Sequence, residues 1–254
     1  MRIGITGYGK MGSLIRQMAY ERGHQVPLVI DPFSQAEEVT NSELPSTAEN
    51  LDVIVDFSDP SVVVDNIRRY AKMKVTAVIG TTGWYDQMEE VADLVAKSES
   101  GLIWSGNFSL GVNIFFYILK TAGKVLNRFP DYDVMVHEYH HCHKAESPSG
   151  TALMIGDILI AALERKHATL TGTLDGRRQE SNLHISSTRG GSIPGTHQVI
   201  FDSDVDSIVL EHTARNRKGF AEGAIMAAEW ISGRRGFYNI AQMMESVIGG
   251  DEDG

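Results

Sequence analysis

The sequence predicts an α/β fold, a doubly wound parallel sheet interrupted by an inserted α+β domain. Three observations predict it. Short apolar runs alternate with helix-periodic runs over the N-terminal part of the chain; polar, glycine-containing segments close several of those runs; and beyond residue 130 the rhythm changes to strands joined by Gly- or Asp-rich turns. A chain of 254 residues, 42% of them hydrophobic, can bury the core of one large domain or two smaller ones.

Arg2 to Thr6 is a short apolar run. It is followed by Gly7-Tyr8-Gly9-Lys10-Met11-Gly12, a G-x-G-x-x-G turn, and then by Met11, Leu14, Ile15, Met18 and Ala19 at helical spacing. Strand, glycine turn and helix in that order make a Rossmann-like dinucleotide site. Gly7 permits the tight turn, Gly9 lets the backbone approach a pyrophosphate, and Gly12 lets helix and strand pack closely. Gly23 stops the helix. Val26 to Ile30 is the second strand, and it ends in Asp31, nineteen residues after Gly12, where a carboxylate can accept hydrogen bonds from an adenosine ribose. No Arg or Lys occurs from Asp31 to Asn50 to meet a 2′-phosphate, so the cofactor, NADH or NADPH, leans towards NADH. Pro27 places this strand at the sheet edge.

Asp52 to Phe57 is the next buried strand, with Ser58 or Asp59 expected to cap a helix carrying Pro60 in its first turn. Val75 to Ile79 is another strand, ending in Gly80-Thr81-Thr82-Gly83, and Leu102 to Trp104 a further one, ending in Ser105-Gly106-Asn107-Phe108-Ser109. Such segments at the carboxyl ends of successive strands line the ligand crevice of an open α/β sheet. A helix from Leu110 to about Leu126 leads out of this unit. A strand (Tyr132, Val134, Val136), a helix over 149–165 and three runs of β character follow, His184 to Thr188, His197 to Phe201 and Ser207 to Thr213, as in an antiparallel or mixed sheet. His167 to Glu180 reads as an exposed polar linker. Gly219 to Trp230 is a helix with small residues on one face, and Tyr238 to Val247 a last helix. The cofactor domain is therefore expected over 1–111 and 218–254, and the substrate and oligomerisation domain over 112–217.

Titratable groups concentrate at residues 138–151, Glu-Tyr-His-His-Cys-His-Lys-Ala-Glu-Ser-Pro-Ser-Gly-Thr. They lie on a strand end, a loop and a helix start. His140 and Lys144 are the candidate proton-handling groups. Ser149, Gly150 and Thr151, beside His141, offer hydroxyls and N–H groups at a positive helix end, a match for a carboxylate. Glu138 either orients a neighbouring base or satisfies a local partner. A metal at His140, His141, Cys142 and His143 is not expected, since neighbours on an extended chain point to opposite faces.

A net charge of −10 and the lack of a Lys/Arg run argue against nucleic acid or an anionic membrane as partner. One cysteine fits a reducing compartment, and no apolar run approaches a membrane span; a cytoplasmic location is expected. The residues alone leave open a reductase of an acidic small molecule and a nucleotide sensor that keeps the crevice without the chemistry.

Glu138-x-His140-His141-x-x-Lys144 followed by Pro148-Ser149-Gly150-Thr151-Ala152 resembles the signature of the 4-hydroxy-tetrahydrodipicolinate reductase (dihydrodipicolinate reductase) family. The likeness extends over Gly7 to Gly12, Val55-Asp56-Phe57-Ser58, Gly80 to Gly83, Asn107-Phe108-Ser109, Arg189, Gly195, His197 and His212 to Ala224. It implies His140 as proton donor or polarising group and Lys144 as second general acid. It implies that His141, Ser149, Gly150 and Thr151 hold the carboxylates of a cyclic dicarboxylate, and that Gly80 to Thr82 and Ser105 to Phe108 lie near the nicotinamide. It also implies a homotetramer built through the second domain's sheet. A related dehydrogenase of another amino or imino dicarboxylate is the alternative within enzymes. Two departures stand out: Lys144-Ala145-Glu146-Ser147-Pro148 where many members have Lys-x-Asp-Ala-Pro, and a glycine turn shorter than the GxxGRMG form.

Overall fold

A computed structural model describes residues 1–41, 43–45 and 50–250. The chain forms two compact units, one from residues 1–110 and 217–254 and the other from 111–216.

The first unit is built on a six-stranded parallel sheet. Its strands are β1 (Arg2–Thr6), β2 (Gln25–Ile30), β3 (Val53–Asp56), β4 (Thr76–Ile79), β5 (Gly101–Trp104) and β11 (Gly236–Asn239), in the order β11-β5-β4-β3-β1-β2. Alternate residues serve opposite faces. Ile3, Ile5, Val53, Val55, Val78 and Ile103 share one core with α1 (Lys10–Glu21), α6 (Lys218–Ile231) and α7 (Ile240–Gly249). Ile54, Ala77, Ile79 and Leu102 share another with α2 (Val63–Met73) and α3 (Met88–Ser98). Helices on both faces are what make the sheet doubly wound.

β2 is an edge strand, and its pairing slips where Pro27 sits: Arg2 pairs with Gln25 but Gly4 with Leu28. A proline has no N–H to give the ladder, so an irregular edge accommodates it. Pro60 is not in the first turn of a helix as expected. Residues 59–62 form a turn in which the Asp59 carboxylate accepts from Ser61 N at 2.9 Å and Asp59 O from Val62 N at 3.1 Å, and α2 starts only at Val63. The expected last helix likewise starts late: Gly236–Asn239, with aromatic Phe237 and Tyr238, is strand β11 on β5, and Asn239 then caps α7 in a reciprocal pair with Gln242.

The second unit holds a five-stranded mixed sheet of β6 (Asp133–His140), β7 (Ala168–Thr171), β8 (Asn182–Arg189), β9 (Thr196–Asp202) and β10 (Ser207–Thr213), ordered β10-β9-β6-β8-β7. β9 runs antiparallel to β6 and β10, whereas β8 runs parallel to β6 and β7. Helices α4 (Leu110–Leu126) and α5 (Gly150–Ala162) pack on Val134, Val136, Leu183, Ile185, Val199 and Phe201. The supposed linker 167–180 contains β7, a strand its polar composition disguised. It is held by Lys166, whose buried ammonium donates to Asp133 at 2.6 Å and to the carbonyls of Glu180 and Asn182. The helix expected over 149–165 stops at Ala162.

Candidate active site

In the first unit the glycine turn starts from the end of β1. Gly7 has φ +86°, and a Cβ there would lie 2.5 Å from Phe57 O; a Cβ on Gly12 would lie 2.0 Å from Gly7 O. Only glycines fit at these two points. Gly9 and Lys10 are exposed where α1 begins, and Tyr8 and Met11 are half-buried. Free N–H groups and the helix dipole make that end attractive to a phosphate. Asp31 ties the turn to β2: Oδ2 accepts from Tyr8 N at 2.7 Å, and Oδ1 from Phe33 N and Ser34 N at 2.8 and 2.9 Å. Partial burial pushes this carboxyl up, but the three N–H groups outweigh it and hold it below its ordinary value.

Gly7 and Asp31 line a cavity of about 570 Å³ with Phe33, Glu43, Asp59 and Arg69. Sequence reasoning missed these last four. Phe33, 89% exposed, could have been noticed as an aromatic two residues past the acid; Arg69 comes from α2, and nothing in local sequence announces it. Gly80 to Thr82 and Ser105 to Phe108 lie at the ends of β4 and β5, on the same carboxyl edge of the sheet but outside the lining of this cavity. Thr82 and Gly106 are exposed and Gly80 is half-buried. Thr81, Ser105, Asn107 and Phe108 are buried, and their side chains have structural work. Thr81 Oγ1 donates to Ser58 O at 3.1 Å, Ser105 Oγ donates to Asn107 O at 2.9 Å, Asn107 Oδ1 accepts from Ser109 N at 2.9 Å, and Phe108 packs in the core. These loops therefore offer a ligand their backbone more than these side chains.

In the second unit, strand register assembles the polar cluster. Glu138 on β6 pairs with Ser187 on β8 and His197 on β9, and His197 pairs with His212 on β10; one step along, His140 pairs with Arg189. Period-two alternation puts Glu138 and His140 on the same face as the buried Val134 and Val136. Fully buried, Glu138 takes three donors on Oε1: Ser149 N at 2.9 Å, Ser187 Oγ at 2.8 Å and Arg189 Nη2 at 2.8 Å. Oε2 faces His140 Nδ1 and His197 Nε2, each at 3.4 Å. Burial alone pushes the carboxyl up; its contacts with His197, Ser149, Arg189 and Ser187 reverse that and hold it well below the carboxylate range. Burial lowers His140 to about 4, with Glu138 opposing and His197, Lys144 and Arg189 adding to the fall.

His141 is half-buried, its N donating to Ile193 O at 2.8 Å. Lys144 N donates to His141 O at 3.1 Å, and Lys144 Nζ donates to Glu146 at 3.1 Å. Cys142 and His143 are exposed. Ser149 sits at the helix start, as expected. It is the N-cap of α5 and is buried, accepting from Ala152 N at 3.1 Å and sharing a proton with His197 Nε2 at 3.2 Å. Gly150 is exposed and Thr151 half-exposed at the same helix end. Glu138, His140 and His197 have ligand atoms all within 4.8 Å of one another, a grouping that linear spacing could not reveal. Arg189 and the α5 N-terminus already supply positive charge to that carboxylate, so the grouping reads as a hydrogen-bond hub. Arg189 and Ser149 N are spent on Glu138, so an anionic substrate would meet the exposed start of α5 at Gly150 beside this hub.

Residues 1–108 match the family model described as dihydrodipicolinate reductase, N-terminus, and residues 111–244 the one described as dihydrodipicolinate reductase, C-terminus. A 4-hydroxy-tetrahydrodipicolinate reductase of Christiangramia forsetii is 32% identical over 98% of this chain and 99% of its own. One of Neisseria meningitidis is 36% identical over 78% of this chain and 72% of its own. The solved structure of a dipicolinate-bound dihydrodipicolinate reductase from Paenisporosarcina sp. TG-14 superposes with a TM-score of 0.76 at 23% identity, covering 96% of this chain and 99% of that one. A diaminopimelate dehydrogenase of Corynebacterium glutamicum shares the fold at a TM-score of 0.57 and 10% identity, covering 99% of each chain. With both halves matched and a relative 32% identical over nearly its full length, the chain belongs to the dihydrodipicolinate reductase family.

Proposed function

We propose that the chain reduces 4-hydroxy-tetrahydrodipicolinate to tetrahydrodipicolinate, with loss of water, using a reduced nicotinamide nucleotide, in the diaminopimelate branch of lysine biosynthesis. The observation that carries it is the grouping of His140, Arg189 and the α5 N-terminus about Glu138, with Lys144 four residues past His140, a set suited to a dicarboxylate that must also receive a proton. The first unit would hold the nucleotide, at the glycine turn and Asp31, and the second the dicarboxylate. When bound, the nucleotide supplies hydride. His140, lowered to about 4 by burial, is a neutral imidazole at pH 7 and positions the substrate, which leaves Lys144 to deliver the proton. His141, Gly150 and Thr151 receive carboxylates. Ser149 serves them through the helix cap it completes.

NADH is the preferred nucleotide. Asp31, Glu43 and Asp59 line the cavity beside the glycine turn, and Arg69 is the one cation among the described lining residues, a poor setting for a 2′-phosphate. The protein is a cytoplasmic homotetramer. Support for the assembly is an apolar row on the second sheet's other face, Met135-Ile200-Val209, with Met135 40% and Val209 53% exposed.

Loss of NADH absorbance with the condensation product of pyruvate and aspartate semialdehyde tests the reaction. Turnover is expected with both nucleotides, with the higher kcat/KM for NADH. His140→Ala and Lys144→Ala should each lower kcat about 100-fold or more. Unimpaired variants would overturn the roles; no turnover by the unaltered protein would overturn the reaction.

A further inference from the structure

We propose that Glu138 is a positioning residue that fixes His140 in the tautomer with its proton on Nδ1, so that the bare Nε2 is the nitrogen presented to the substrate. This rests on the reductase function proposed above.

An ionised carboxylate can only accept hydrogen bonds. Oε1 of Glu138 is fully engaged by Ser149 N, Ser187 Oγ and Arg189 Nη2, at 2.8–2.9 Å. Oε2 makes no hydrogen bond; the nearest ring nitrogens are His140 Nδ1 and His197 Nε2, each at 3.4 Å, and Oε2 and His140 Nδ1 are both buried atoms without another partner. A ring nitrogen facing that oxygen is stabilised when it carries the proton, which assigns Nδ1–H to His140. For His197 the same logic assigns Nε2–H, and Ser149 Oγ, 3.2 Å away, is a second acceptor for it. Both carboxylate contacts are long, as resting catalytic contacts often are before a ligand tightens them.

The rest of the pocket agrees. The backbone fixes the ring's root, because His140 O accepts from Gly190 N at 2.9 Å. The His197 ring meets it edge-on, with centroids 5.3 Å apart. On the far side of the imidazole, a Cβ at residue 195 would stand 2.9 Å from Nε2, so Gly195 keeps that nitrogen approachable. Charged groups acting on the ring are Glu138, which favours a second proton, and His197, Lys144 and Arg189, which oppose it. A dicarboxylate bound nearby adds to the Glu138 side of that balance.

The test is long-range proton–nitrogen NMR on the full chain with ring-labelled histidine, the His140 signals being assigned by their loss in His140→Gln. Above pH 6 the expected spectrum shows His140 protonated on Nδ1 and bare on Nε2. In Glu138→Gln the side-chain carbonyl can keep the Ser149, Ser187 and Arg189 contacts while its NH2 turns to the rings; the His140 proton should then move to Nε2. For that variant kcat should fall about 100-fold while KM for NADH stays within about threefold, because the nucleotide cavity belongs to the other unit. A wild-type proton on Nε2, or Glu138→Gln with both tautomer and kcat unchanged, overturns the proposal. If Glu138→Gln does not fold, the wild-type spectrum decides alone. That spectrum needs no turnover, so failure of the reductase assignment is seen separately, in the absorbance assay.

Discussion

A histidine kept neutral inside a protein makes folding sensitive to acid, and His140 is the clearest case here. Its ordinary value is 6.5 and its folded value about 4, so between those limits the unfolded chain binds a proton that the folded one refuses. Stability from this group is intact above about pH 6.5 and drains as pH falls towards 4, by roughly 3 kcal/mol at most. Thermal melts at pH 7.5 and pH 5 should therefore show a larger loss for the wild type than for His140→Gln, which keeps His137 and His212, the other two histidines that burial lowers. Equal losses would show that His140 does not titrate in this window. His140, Lys144 and the Ser149–Thr151 stretch were legible because they crowd into one short segment at a strand end and helix start. Their neighbours were not equally legible in role: Ser187, Arg189 and His197 reach Glu138 only through the register of β8 and β9 on β6, and register is a property of paired strands.

Among the elements, α6 shows how small residues fix a contact. Its Ala221, Ala224, Ala227 and Ala228 are buried against the sheet, and a Cβ on Gly223 would lie 1.7 Å from Phe108 O. That neighbour is backbone and cannot swing aside. Gly223→Ala should cost about 3 kcal/mol or more in denaturant unfolding, by forcing the helix off the loop after β5; a variant as stable as the wild type would show that the loop yields. The small-residue face of this helix was readable in the sequence, as were five of the six strands of the N-terminal sheet and the edge position of β2. Three elements were read differently for identifiable reasons. β7 is polar and partly exposed because it is an edge strand supported by β8 and Lys166, so it lacks the apolar alternation that marks strands. β11 is four residues directly followed by a capped helix, and its tail merges with the helical pattern. Pro60 suits a first helical turn equally well as the tight turn that it occupies.

At the scale of the molecule, a chain with formal charge −10 uses its uncovered apolar surface selectively. On the second sheet, Met135, Ile200 and Val209 form a cross-strand row on the face away from α4 and α5. A second copy covering that row is the expected route to the proposed tetramer. Size-exclusion chromatography with light scattering should give about four times the 27.9 kDa chain mass, and Val209→Glu should lower it without abolishing nucleotide binding. A wild-type mass of one chain would remove the tetramer. The discontinuity of the first unit has its own consequence for biosynthesis. Residues 1–110 leave the ribosome before α6, α7 and β11 exist, so one face of the nascent sheet has no lid of alanines and one edge has no final strand until residues 217–254 are made. The intervening 111–216 can condense during that wait, while the strands before it depend on helices made after it and stay open to chaperones and proteases until those helices emerge.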